Sequence, residues 1–124
     1  MSLHWTIDSR DHLVVAVADG DVTRAEMEHY LRVLDGAHAM GYRKLFDASN
    51  SDTSMSADDL LAIGAQIRDR HSKGDAFGPL AIVISPDKSE LVSRVLGILA
   101  AAERPMRVFE SIEPARRWIE SFPK

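Results

Sequence analysis

Residues 79–85 read PLAIVIS, with five successive apolar side chains from Leu80 to Ile84. No other stretch limits the fold so tightly. A strand with one wet face alternates apolar and polar residues, whereas one that is apolar at every position is covered on both faces. Such strands belong to parallel sheets whose crossover helices pack on the faces. The loop-like KGDAFG (73–78) before the run and Ser85-Pro86 after it keep it to strand length.

The remaining segments supply the partners that this strand requires. HWTID (4–8) and HLVVAVA (12–18) are strand-like around the polar turn SRD, which predicts an antiparallel hairpin. Residues 21–41 predict a helix. Thr23 and Glu26 have capping-box spacing, Met27, Tyr30, Leu31 and Leu34 form its apolar face, and Gly41 is the expected stop. KLFDA (44–48) is a short strand. Ser56 and Asp59 open a second helix with Leu60, Ile63 and Ile67 on one stripe. A third helix follows residue 85, with Ser85 or Asp87 as its expected cap and Pro86 in the first turn. Strand 106–110 and helix 111–122, apolar at Trp118, Ile119 and Phe122, complete the chain. The order β-β-α-β-α-β-α-β-α predicts one α/β domain over residues 1–124, with a mostly parallel central sheet flanked by helices.

Charge and composition narrow the function. A formal net charge of −4 on 124 residues offers no basic stripe for a nucleic-acid backbone. The chain has no cysteine, which excludes thiol nucleophiles and Cys-type metal sites. Its five histidines include no HExxH or paired i, i+4 arrangement, so neither a metal nor a cofactor is expected. There is no Gly-rich phosphate loop and no G-x-S-x-G elbow, and the expectation is a protein that is not an enzyme. No apolar run approaches the ~20 residues of a membrane span, and the start lacks a secretory pattern. The expected setting is cytoplasmic.

The stretch KLFDASNSDTSMSADD (44–59) carries the most polar chemistry: Asp47, then Ser49, Ser51, Thr53, Ser54 and Ser56, then Asp58 and Asp59. Ser56 reads first as a helix cap, and Ser56 or Ser54 second as a phosphoacceptor. Against the second stand Asp58 and Asp59, which already occupy the positive end of the helix and repel a dianion. Asp47, Ser49 and Asp58 are the expected rim of an interaction or ligand surface. The third helix adds Leu96 and Leu99, whose stripe broadens its apolar face beyond what covering a sheet requires and suits a homodimer.

The element order, HWTID…LVVAVADGDVTRAE at the start, GYRKLFDAS in the middle and GPLAIVIS…ELVSRVLGILAAAERPMRVFES…ARRWI at the end resemble the SpoIIAA-like family of the STAS superfamily. This resemblance implies a small bacterial regulatory module that docks onto another protein. Anti-sigma-factor antagonists of that superfamily carry an Asp-Ser-Ser-Gly turn with a phosphorylated serine. Ser56 lies near its place, but Met55 stands where Asp is expected and Asp58 or Asp59 near the expected Gly. The fold also resembles CRAL-TRIO lipid-transfer domains, which implies as the alternative a small apolar or lipid-like ligand between sheet and helices. A cavity of at least a few hundred cubic ångströms is expected for such a binder.

Overall fold

The computed structural model describes residues 2–74, 77–99 and 103–124; for residues 71, 72, 89 and 96–99 it describes the backbone. Its elements are β1 (Leu3–Asp8), β2 (Leu13–Asp21), α1 (Arg24–Gly36), β3 (Arg43–Asp52), α2 (Ala57–Ser72), β4 (Leu80–Val83), α3 (Ser89–Leu99), β5 (Met106–Phe109) and α4 (Ile112–Glu120). The sheet has five strands in the order β1-β2-β3-β4-β5. β1 is antiparallel to β2, and every other pair is parallel. In the hairpin turn, Asp8 Oδ1 accepts from the backbone N–H of Arg10 and Asp11, each at 3.0 Å. His12 takes a left-handed φ of 50° to re-enter β2.

The strand order decides where the helices go. Each parallel strand is laid beside the last in the same direction, and right-handed crossovers then put α1, α2 and α3 on one face. Val14, Ala16, Phe46, Leu80 and Ile82 point to that face and pack beneath Tyr30, Leu34, Ile63, Ile67 and Leu91. Among the described residues, the opposite face receives α4 alone. Ala115 and Ile119 of α4 sit on Leu45, Ala81, Val83 and Phe109. Beyond its reach the sheet meets water: Val17 is 42% exposed, and His4, Thr6 and Asp8 of β1 are exposed in alternation. β4 is buried at all four positions, as its sequence requires.

Several boundaries differ from the sequence expectation. α1 ends at Gly36 rather than Gly41, closed by Ala37 N–H donating to the Val33 carbonyl at 3.0 Å and His38 N–H to the Asp35 carbonyl at 3.1 Å. β3 runs on to Asp52, so half of the hydroxyl-rich stretch is strand rather than loop. Its extension pairs Asn50, Ser51 and Asp52 with Asp19, Gly20 and Asp21 after a register shift beyond Val17. In α3 neither Ser85 nor Asp87 is the cap. These two bond to each other in a turn, and the helix begins at Ser89, with Val92 N–H donating to the Lys88 carbonyl.

Candidate functional site

The hydroxyls of residues 49–56 are individually engaged. Asp47 Oδ1 accepts from Ser49 N–H at 3.0 Å and from Ser49 Oγ at 2.6 Å, which fixes the bulge where β3 gains a residue on β2. Ser51 and Thr53 are buried. Ser51 donates to the Gly20 carbonyl at 3.4 Å, and Thr53 donates to the Val22 carbonyl at 2.8 Å. Ser54 donates through its N–H and Oγ to the two oxygens of Asp21, at 2.8 and 2.9 Å. Ser56 caps α2: its Oγ accepts from Asp59 N–H at 3.1 Å, while Asp59 Oδ2 accepts from Ser56 N–H at 3.2 Å. That backbone bond, with help from Arg24, holds the Asp59 carboxyl below its ordinary range. A phosphate on Ser54 would face Asp21, and one on Ser56 would face Asp58 and Asp59.

These residues form a rim at the carboxyl ends of the parallel strands, with Asp58 exposed in the first turn of α2. The side chains of Leu96 and Leu99 lie outside the described residues. Among the described residues, no three His, Cys, Asp or Glu side chains converge on a point that could hold a metal.

The larger feature lies inside. A cavity of about 140 Å³ runs between the sheet and α1–α3, and its lining follows β3 from Lys44 to Asp52. Tyr30, Leu34, Phe46, Phe77, Ile82 and Leu91 supply much of its apolar wall. It is smaller than the few hundred cubic ångströms expected, because Met27, Met40 and Met55 also fill the space between the layers.

Two cations line the same cavity. Lys44 is 4% exposed. Its Nζ donates to the carbonyls of Met40 and, at 2.9 Å, Tyr42, and no carboxylate forms an ion pair with it among the described residues. Burial, helped by the charge of Arg104, brings its pKa down from 10.5 to about 7. Arg104 has its guanidinium 5.4 Å from the centre of the Phe77 ring. Its Nε is buried without a hydrogen-bond partner. Burial lowers the pKa of this group too. The Tyr30 phenol, wholly buried in the same wall, has its pKa raised by burial and stays neutral.

Sequence reasoning missed both cations. The signal was present for Lys44: it heads the short strand KLFDA (44–48), and a strand inside a helix-flanked parallel sheet gives a lysine little access to water.

Against known proteins, the SpoIIAA-like family model matches residues 13–120. The chain belongs to the SpoIIAA-like family. No curated protein matches it. Among solved structures it is similar to an uncharacterized protein of the DUF3478 family with a SpoIIAA-like fold from Shewanella loihica PV-4. The two are 22% identical, with 95% of this chain and 94% of the other covered and a TM-score of 0.63. At that identity the likeness speaks for the fold. A SpoIIAA-like fold with a hairpin start and a mostly parallel sheet is what the sequence predicted. Among the described residues, no helix is long and apolar enough to cross a membrane.

Proposed function

We propose that this chain is a non-enzymatic binding module that takes a small apolar molecule between its sheet and α1–α3. The observation that carries the reading is the cavity of about 140 Å³, walled almost wholly by apolar side chains. Natural interiors leave few voids larger than a water molecule, and an apolar void of ~150 Å³ elsewhere stays dry and takes up benzene. A ligand of about six to ten non-hydrogen atoms suits this volume. Ser51 and Thr53 in the wall give their protons to backbone carbonyls, which favours binding over chemistry.

The test is methyl NMR of the whole chain titrated with 1-octanol. Saturable shifts confined to Leu34, Ile82, Leu91 and their neighbours are expected. Unchanged spectra at the solubility limit of the alcohol would refute the reading.

A second reading, a regulatory module that docks onto another protein, is favoured by one surface residue. Leu61 on α2 is 65% exposed and follows Asp58, in the first turn of the helix that Ser56 caps, by three residues. A protein partner captured by the unmutated chain should be lost with Leu61→Asp. Mass spectrometry of protein from its own cells tests phosphorylation of Ser54 or Ser56. Light scattering tests a homodimer through Leu96 and Leu99, and a monomer would end that part of the reading.

A further inference from the structure

We infer that the cavity is built for an amphipathic monocarboxylate, its carboxylate seated between Lys44 and Arg104 and its unbranched apolar chain lying along β3. This assignment rests on the binding reading above and adds the chemical class of the ligand.

The argument begins with charge. Lys44 and Arg104 line an apolar cavity, and no carboxylate pairs with either among the described residues. Among the described residues, the cavity wall contains one acid, Asp52, which is exposed at the far end of β3. Eight residues of strand separate it from Lys44, roughly 25 Å at the rise of an extended chain, too far to neutralise it. Lys44 spends two of its three N–H donors on carbonyls, which leaves one. The Arg104 guanidinium lies over the Phe77 ring, and no carboxylate pairs with its fork among the described residues, which leaves the fork for an anion. A planar fork matches a planar carboxylate, with two parallel N–H donors for two oxygens. A phosphate dianion fits less well. α1, α2 and α3 each begin after the carboxyl end of a parallel strand, toward the opposite end of β3 from Lys44, and the N-terminus of α2 is closed by Ser56 and Asp59.

The tail follows from shape. The lining extends along the strand through Phe46 and Ala48 to Ser51, so the space is long for its volume and suits a straight chain. A neutral molecule could fill it but would leave the Arg104 guanidinium, whose Nε is buried without a partner, and the protonated form of Lys44 without a counter-ion.

The experiment compares octanoate with 1-octanol, its neutral counterpart of equal chain length, on the unmutated chain and on Lys44→Met and Arg104→Met. Octanoate should bind at least 10-fold tighter than the alcohol to the unmutated chain. The preference should fall toward 1 in each variant while binding of the alcohol persists. Should Lys44→Met fail to fold, Arg104→Met decides alone, since Arg104 is only half-buried. Binding of both probes with no preference for octanoate would overturn the carboxylate assignment and leave the cavity reading standing. Binding of neither would remove both. Inorganic phosphate shifting the same residues more than octanoate would also overturn the assignment.

Discussion

Arg43 and Lys44 are adjacent in β3, yet the pleat sends their side chains into opposite layers of the molecule. Both are buried, at 6% and 4% exposure. Arg43 reaches the Asp11 carbonyl at 2.6 Å and the Phe122 carbonyl at 3.1 Å, on the side of α4. Lys44 enters the cavity on the side of α1–α3 and is held by the Met40 and Tyr42 carbonyls. One dipeptide thus fastens the end of the chain and charges the cavity.

The depressed pKa of Lys44 makes stability depend on pH in a defined direction. Between about 7 and its unfolded value of 10.5, the unfolded chain binds the proton more tightly than the folded one, so this group's contribution rises with pH. Below pH 7 the cost of burying the charge is constant. Thermal melts should therefore show Tm increasing from pH 7 to 9 in the unmutated chain relative to Lys44→Met. Parallel Tm profiles for the two proteins would contradict the burial of this charge.

Arg43→Leu removes two bonds to carbonyls and leaves the segments around Asp11 and Phe122 untied. A loss of about 2–3 kcal/mol is expected, because hydrogen bonds from charged donors are worth more than neutral ones. Amide exchange should quicken at residues 9–12 and 118–124 before it does in β4. Arg43→Lys should recover little, since a single ammonium cannot reach both acceptors. Uniform acceleration throughout the sheet would place the effect elsewhere.

Gly78 admits no side chain. A Cβ there would lie 2.2 Å from the Tyr42 carbonyl oxygen and 2.5 Å from that of Gly41, and both are backbone atoms. Gly78 N–H also donates to the Met40 carbonyl at 3.2 Å, one of the two acceptors of Lys44. Gly78→Ala should cost about 3 kcal/mol by overpacking. It should also weaken octanoate binding more than 1-octanol binding, because the anchor of Lys44 moves. Denaturant titration and the two ligand titrations check these outcomes.

Ser56→Ala and Thr23→Ala each remove a capping hydroxyl, one from α2 and one from α1. Each should cost about 1 kcal/mol in denaturant unfolding. The Ser56 variant should leave octanoate affinity unchanged, since its hydroxyl faces the rim and not the cavity. A large loss of affinity with Ser56→Ala would join the two sites.

The fold was legible because its signals are local and mutually consistent. The unbroken apolar run of β4, the two capping boxes and the hairpin turn each need only neighbouring residues to be read. What was hidden depends on distant pairing. Asn50, Ser51 and Asp52 are poor strand formers, and they join β3 only because Asp19, Gly20 and Asp21 lie alongside after the bulge. The rim of Asp47, Ser49 and Ser56 could be placed from the hydroxyl pattern. The cavity could not, because Lys44, Phe77 and Arg104 come to its wall from three different segments of the chain. A charge is recognised as buried only when its surroundings are known.

The solitary position of α4 has a consequence for synthesis. Until Ile119 and its neighbours have emerged from the ribosome, Leu45, Val83 and Phe109 have no roof, and the nascent sheet presents an oily underside to its surroundings. Closure of the domain waits for α4, its last element, so newly made chains should depend on chaperones more than the small size of the domain suggests.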